Sequence, residues 1–571
     1  MSTIKLSTIV AFALKNAVEH EGTASPRAVI PKVFSGIRIE MLNDSALALF
    51  GDDIETDKRD VTALVERVVN KVNSLSLTEQ VELMGSFSFE GKKEAREKGS
   101  LPLLPRAERG RVVTRFPPEP NGYLHIGHAK AAFIDYAYAR EYDGRFQLRF
   151  DDTNPLKEDA VYYEEQRKDL RALGIEWDEE LCTSDDLELL YDYCEEMIER
   201  GGAYVCTCNE EEIKRNRSAG VECRCRARNI EEDLGLWEEM LAGTKAIVRL
   251  KGDMISQNTA FRDPTMFRVI EATHPRQGSR YRVWPTYDFA GAIEDSIHGV
   301  THAFRSKEYE LRDEVYFRVL EVLNLRKPIL MEFSRLELEN MPVSKRVLKP
   351  LIEQREVEGW DDIRLPTIRG LIRRGFLPEA IREFVLNLGF SKNESMPSIG
   401  ILEAMNRKLL DPVAKRYFFV PDPIELVVRD APELMVDLKL HPEKDVGYRR
   451  VETNGHFFVN REDVSEGEEI RLKDLYNIRI DARDDKVHAA FVSREMKGNE
   501  RKIQWVTEDS YEVEIIKSNG LLKDDKVLPL ERIRGLLEEA GRGIKESEVV
   551  QFERFGFCRK DNEGRFCYTH R

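Results

Sequence analysis

The chain has 571 residues, 41% hydrophobic and 34% charged, with a formal net charge of −16. That length spans several domains, and the composition excludes a disordered or fibrous chain. The acidic balance argues against indiscriminate nucleic-acid binding, which needs a basic surface to release counterions, but leaves local basic patches open.

No run reaches the ~20 apolar residues that cross a bilayer. The N-terminal MSTIKLSTIVAFALKNAVEHEG meets Lys15, Glu19 and Glu21 directly after a short apolar stretch and carries no small-residue cleavage site. It therefore reads as no signal peptide, and the cytoplasm is the default location. Ile4, Ile9, Val10, Phe12 and Leu14 predict an amphipathic helix, and Val61, Leu64, Val65, Val68, Val69 and Val72 predict another, with a further helix from Thr78. Residues 1–105 are thus expected to form a helical extension, whose role the sequence leaves open. GKKEAREKGSLPLLPRAERG, polar and proline-bearing, reads as a linker.

From Arg111 the texture alternates. RVVTRF predicts a strand, PPEPNG a loop and LHIGHAKAAFIDYAYAREY a helix; RFQLRF predicts a second strand, followed by the turn DDTNP and a helix through LRALGI. This order predicts a parallel, doubly wound α/β sheet. Residues 201–280 read as an irregular, cysteine-bearing insertion. The alternation then resumes over 281–350 with VTHAFR, YELRDEVYFRVLEVLN and PILMEFSRLEL. Helices are expected over 351–412 (LPEAIREFVLNLG, ILEAMNRKLLD), and the short strand-like runs of 413–571 predict one or two β-barrels.

Two strings carry chemistry. The first runs from Thr114 to His128, TRFPPEPNGYLHIGH. It follows a strand and opens a helix, the place in a parallel sheet where backbone N–H groups and the helix dipole face phosphate. There Gly127 lets a flat base approach, and His125 and His128 donate to a phosphate as charge builds on it. The other string is Pro342-Val343-Ser344-Lys345-Arg346. Alone, a Ser-Lys-Arg is a solvated turn; at the end of the resumed alternation it gains force.

The string ending at His128 resembles the HIGH signature of class I aminoacyl-tRNA synthetases, in the form found in the glutamyl/glutaminyl group. The string around Lys345 is similar to their KMSKS loop in a departed form. The resemblance implies a Rossmann-like catalytic domain (106–200 and 281–350) interrupted by an acceptor-end-binding insertion, then a helical stem-contact region and anticodon-binding barrels. It implies ATP and Mg²⁺ at Pro118, Glu119, Gly127, His128, Val343, Ser344, Lys345 and Arg346, with His125, His128 and Lys345 catalytic by charge stabilisation. The chemistry implied is activation of an amino acid to its adenylate, then transfer to the 3′-terminal adenosine of tRNA.

The resemblance continues through RFDDTNPLKED and WPTYDFAGAIEDSIHGVTHAFRSKEYELRDE. Asp151 matches the carboxylate that holds the α-ammonium group. Arg115 and Tyr287 match residues around the substrate side chain. Arg305 occupies a place that is arginine in the glutamyl branch and small and uncharged in the glutaminyl branch. A guanidinium pairs bidentately with a carboxylate, and opposite an amide it stays poorly paired at a cost of a few kcal/mol. Glutamate is therefore the expected substrate, and tRNA(Glu) the expected acceptor, with tRNA(Gln) as a second candidate. The helical extension with a β-rich C-terminal half is similar to the archaeal type.

Eight cysteines in such a chain point away from a disulfide framework. Cys206-x-Cys208 and Cys223-x-Cys225 offer four soft ligands for structural Zn²⁺, tighter in spacing than the usual knuckle, so reduced cysteines stay an alternative. The C-terminal FERFGFCRKDNEGRFCYTHR mixes aromatics with arginines, a texture of RNA contact and equally of a plain hairpin. Two other functional readings stay open: a glutaminyl enzyme, and a non-catalytic tRNA-binding or scaffold protein. Monomer is the default.

Overall fold

A computed structural model describes residues 4–20, 22–33, 39–41, 47–50, 55–56, 61–89, 101–390, 396–524 and 526–571. The chain divides into two units, residues 1–98 and 99–571.

In the first unit, helices Leu6–Glu19 and Val61–Asn73 bury the apolar stripes expected of them, Ile9, Val10, Val65, Val68 and Val72 among them. Pro26–Val33 is a helix not anticipated from the sequence, and Leu77–Met84 is the further helix expected from Thr78. The last helix starts on a reciprocal cap: Glu79 N donates to Ser76 Oγ, and the Glu79 carboxylate accepts from Ser76 N. Buried Gln80 donates from Nε2 to the carbonyls of Gly22, Val72 and Leu75, tying this helix to its neighbours. The unit is not wholly helical as expected. Ile4–Lys5 pairs with Glu55–Thr56, and Ile39–Met41 with Phe87–Phe89, both antiparallel. Segments this short leave no period-2 pattern to read. Half of the expected linker, 91–100, lies outside the described residues.

The second unit opens with parallel strands β1 (Val113–Phe116), β2 (Arg145–Phe150) and β3 (Glu179–Cys182), with α1 (Ile126–Glu141) and α2 (Ala160–Ala172) between them. Residues 203–285 are not irregular, which corrects the expectation. Strands β4 (Ala203–Cys206), β5 (Ile247–Leu250), β6 (Thr265–Val269) and β7 (Val283–Pro285) form an antiparallel sheet in the order β7-β6-β5-β4. Each strand has three to five residues, too few to announce itself between long polar stretches.

After α3 (Tyr287–Ile297) come the parallel β8 (His302–Ser306) and β9 (Ile329–Phe333). Thr301 N donates to Val113 O, and Val113 N donates to Thr301 Oγ1, both at 2.9 Å, which sets β8 beside β1. The order β3-β2-β1-β8-β9 reverses direction between β1 and β8, and ligands of doubly wound sheets bind at that switch point.

Four helices follow: α4 (Lys345–Glu353), α5 (Ile368–Arg374), α6 (Pro378–Asn387) and α7 (Ile399–Leu410). The C-terminal part holds two barrels. The six-stranded sheet of 423–503 closes through a bridge between Phe458 and Val506. The seven-stranded sheet has Arg416–Tyr417 on one edge and Phe419–Pro421 on the other, so one continuous segment closes it. Phe552 and Phe566 are buried in the core of this second barrel, and Phe557 is buried against Leu410 and Ala414, so these aromatics of the C-terminal texture serve packing.

Among the described residues, no helix is long and apolar enough to cross a membrane.

Candidate active site

A cleft of about 690 Å³ opens at the switch point. Pro118, Glu119, His125, Gly127, His128, Asp151, Tyr287, Arg305, Val343, Ser344, Lys345 and Arg346 all line it, so residues far apart in sequence meet on one surface.

His125 is the N-cap of α1. Its Nδ1 accepts from Gly127 N at 3.1 Å and His128 N at 3.4 Å, and His128 Nδ1 accepts in turn from His125 N at 3.3 Å. The rings stack with centroids 3.8 Å apart. With both Nδ1 atoms used as acceptors, a neutral ring carries its proton on Nε2. Burial, Lys345 and Arg335 push His128 down to about 3, and burial, His128 and Lys345 push His125 well below the usual histidine range. Both residues are half-buried, and burial is the largest cause of each shift. Two neutral Nε2–H donors therefore stand at the N-terminus of a helix. Gly127 is part of this arrangement: a β-carbon there would come within 3.0 Å of His125 Cε1 and 3.2 Å of Leu336 O.

Opposite lies the N-terminus of α4, which begins at Lys345. Buried Val343 anchors the preceding loop, and Ser344 caps the helix in extended conformation. Burial pushes the Lys345 ammonium down to about 8, against the pull of Glu119. Two helix N-termini, a lysine and Arg335 thus face one cleft, the electrostatics of a polyphosphate site.

The amino-acid end is built on a buried ion chain. Arg115 donates from Nε and Nη2 to the Asp295 carboxylate at 2.8 and 3.1 Å, and Arg149 donates from Nη1 to Asp295 at 2.7 Å and from Nε to Asp151 Oδ1 at 2.7 Å. Burial alone would raise Asp295, but Arg115 and Arg149 hold it at about 2. Asp151 Oδ1 is used by this chain and by Thr183, while its buried Oδ2 has no hydrogen-bond partner. Arg305 sits in a cage of Tyr287, Tyr309 and Tyr316, its guanidinium carbon 5.3–5.6 Å from the three ring centroids. It gives one 3.2 Å bond to Asp313, and its buried Nε has no partner.

Arg115 departs from the expectation that it lies around the substrate side chain. It does not line the cleft; Asp295 and the Phe304 carbonyl take its donors beneath the wall. Arg149, Asp295 and Arg335 were not picked out from sequence. An arginine inside a strand gives no sign that its partner lies on a helix nearly 150 residues away.

Residues 111–412 match the catalytic-domain model of the class I tRNA synthetases (E and Q), and residues 414–494 and 502–561 match two anticodon-binding-domain models of the same family. The chain belongs to this family. It is similar to curated proteins named glutamate–tRNA ligase: from Cenarchaeum symbiosum, 42% identical over 567 residues and 98% of each chain; from Pyrococcus furiosus, 42% identical over 574 residues and 96% of each. The Nitrosopumilus maritimus protein of that name is 40% identical over 98% of each chain. A crystal structure of a glutamate tRNA ligase from Elizabethkingia meningosepticum aligns at a TM-score of 0.41 and 21% identity, over 53% of this chain and 70% of that one, a distance that decides nothing about single residues.

In this class I synthetase the insertion carries the four cysteines. Cys206 and Cys223 sulfurs lie 3.8 Å apart, as do those of Cys208 and Cys225, and all four fall within 4.8 Å of one another. A tetrahedral zinc with bonds of about 2.3 Å has sulfur–sulfur edges of about 3.8 Å, so the donor set fits that ion. Arg228 donates to Cys225 Sγ at 3.3 Å and Arg249 to Cys223 Sγ at 3.8 Å, charges suited to balancing four thiolates.

Proposed function

We propose that this chain is a glutamate–tRNA ligase which forms glutamyl-adenylate from glutamate and MgATP and passes the glutamyl group to the 3′-terminal adenosine of tRNA(Glu). The observation that carries the choice of amino acid is Arg305, a caged guanidinium with a buried, unpartnered Nε on the cleft wall. A γ-carboxylate completes its bonding, whereas an amide leaves a buried charge poorly matched. Asp151, oriented by Arg149, takes the α-ammonium group through Oδ2. That leaves the α-carboxylate directed at the α-phosphate of ATP, the nucleotide lying along Pro118, Glu119 and Gly127.

The carboxylate oxygen attacks the α-phosphorus, and the bond to the pyrophosphate oxygen breaks. Negative charge on the α-phosphoryl oxygens and the leaving group meets the His125 and His128 Nε2–H donors, Lys345, Arg346 and the two helix N-termini. In the second step the 2′-hydroxyl of the terminal adenosine attacks the carbonyl carbon of the mixed anhydride, the bond to the phosphate oxygen breaks, and AMP leaves with the hydroxyl proton. No enzyme nucleophile is needed; positioning and charge stabilisation supply the rate.

The insertion of 203–285 meets the acceptor end, braced by zinc held at Cys206, Cys208, Cys223 and Cys225, whose role with four protein ligands is structural. The barrels of 414–571 hold the anticodon region. The deciding experiment charges purified tRNA(Glu) and tRNA(Gln) with labelled glutamate and glutamine in parallel. Glutamate alone is expected to be incorporated, and Arg305→Ala is expected to lower kcat/KM for glutamate about 10²- to 10³-fold. Incorporation of glutamine overturns the assignment of Arg305. Whether tRNA(Gln) accepts glutamate is read from the same assay.

A further inference from the structure

We propose that Asp169 and Arg369 are positioning residues for the His125 side chain, an inference that rests on His125 acting as a phosphate-facing donor. Neither residue lines the cleft, so neither reaches an amino acid or nucleotide held there. They act on the backbone that His125 hangs from.

That backbone is held from outside the β1–α1 unit on both sides of the histidine. Leu124 N donates to Asp169 Oδ2 at 3.1 Å; Leu124 O accepts from Ile368 N at 3.0 Å; Ile126 N donates to Pro366 O at 2.9 Å. His125 itself forms an isolated antiparallel bridge with Thr367. The N-cap of α1 is thus stitched to Asp169 on α2 and to the start of α5.

Asp169 and Arg369 lock these stitches together. Arg369 Nη2 donates to Asp169 Oδ1 at 2.9 Å, so the carboxylate spans the Leu124 amide and the guanidinium. Arg369 Nη1 reaches Glu165 at 2.8 Å, and the guanidinium lies over the Tyr123 ring, 4.0 Å from its centroid. Tyr123, Leu124 and His125 are consecutive, so one arginine clamps the approach to the cap by stacking on Tyr123 and through its carboxylate partner.

The pair must act as a unit. Asp169 is buried at 3% exposure, and burial pushes it up to about 6 against the pull of Arg369. Without that guanidinium the acid holds its proton to higher pH and accepts more weakly from Leu124 N. The His125 cap depends on bonds of 3.1 and 3.4 Å, and a small shift of the Leu124 carbonyl re-aims the imidazole Nε2. A displacement on the order of 1 Å at a reacting group costs up to about 10²-fold in rate.

The test is a double-mutant cycle in the full chain, read by ATP–pyrophosphate exchange with tRNA and glutamate present, using His125→Ala, Arg369→Gln and the double variant. Arg369→Lys and Asp169→Asn serve as milder variants, and thermal unfolding reports folding. We expect Arg369→Gln to lower kcat about 10- to 100-fold, with KM for ATP and glutamate changed less than about two-fold, and to cost nothing further once His125 is alanine. Arg369→Lys, which keeps charge but not the fork, should recover part of the loss. A loss that persists undiminished in the His125→Ala background, or full activity of Arg369→Gln, overturns the proposal. If His125→Ala alone leaves exchange unchanged, it is the assignment of His125 that fails, and the two failures are told apart.

Discussion

The Lys345 side chain lies across Gly122: a β-carbon on Gly122 would stand 2.6 Å from Lys345 Cε and 2.8 Å from Nζ. The two come from the two signature strings, and the missing side chain of one makes room for the ammonium of the other. Because the obstructed atoms end a flexible side chain, Gly122→Ala leaves the fold intact and displaces the ammonium. The expected result is an unchanged unfolding midpoint with exchange kcat lowered about 10-fold. Unchanged kcat would show that Lys345 reaches the phosphates by another route.

The same lysine sets a pH dependence. Its ammonium, pushed down to about 8 by burial, loses its proton as pH rises through that value, so kcat/KM for ATP in the free enzyme should fall there. Arginine stays charged throughout, so Lys345→Arg should be slower at neutral pH but lack this alkaline limb. The pH–rate profile of both proteins checks it; a limb that survives in the arginine variant belongs to another group.

The two signature strings were legible because their chemistry is local: a strand, a tight loop and a helix start are adjacent in sequence. Arg305 was legible only through resemblance, since no periodicity marks a strand arginine as caged by Tyr287, Tyr309 and Tyr316. The chain Arg115–Asp295–Arg149–Asp151 was hidden for a related reason. Buried arginines read as solvated ones until their partners are placed, and here the partners come from another layer. The sheet of 203–285 escaped because its strands are short, and α4 was masked by Pro350 inside it and by the irregular loop before it. The barrels were visible as strand-rich texture, but their closure through Phe458 and Val506 and through 416–421 is a tertiary fact.

The helix Glu210–Ala219 within the cysteine insertion has no fully buried residue, so packing contributes little to holding it in place. Metal at the four cysteines is expected to supply that hold. Purified protein should carry about one equivalent of zinc, and Cys225→Ser or a strong chelator should remove it. Trypsin should then cut at Lys214, Arg215 or Arg217 while the rest of the chain resists. Resistance at those bonds in metal-free protein would show that the knob holds without an ion.

His298 closes α3 with Nε2 2.9 Å from Asp186 Oδ2 and 3.3 Å from Glu294 Oε2. The hydrogen bond to Asp186 and the neighbouring Glu294 carboxylate raise it to about 9, above its unfolded value near 6.5. A raised histidine stabilises the folded state fully below its unfolded value and loses that contribution as pH rises through the folded one. The window of loss therefore runs from about pH 6.5 to 9. Glu294, pushed up by burial, sheds its own charge first on acidification and trims the benefit at the acid end. With the imidazole about one-fifth exposed, the contribution is on the order of 2 kcal/mol near pH 6. His298→Gln should accordingly lower the unfolding midpoint by about 2 °C at pH 6 and by little at pH 10. Matched thermal scans of the two proteins at both pH values decide it, since an equal cost at each would mean that packing, not charge, is what the imidazole contributes between Asp186 and Glu294.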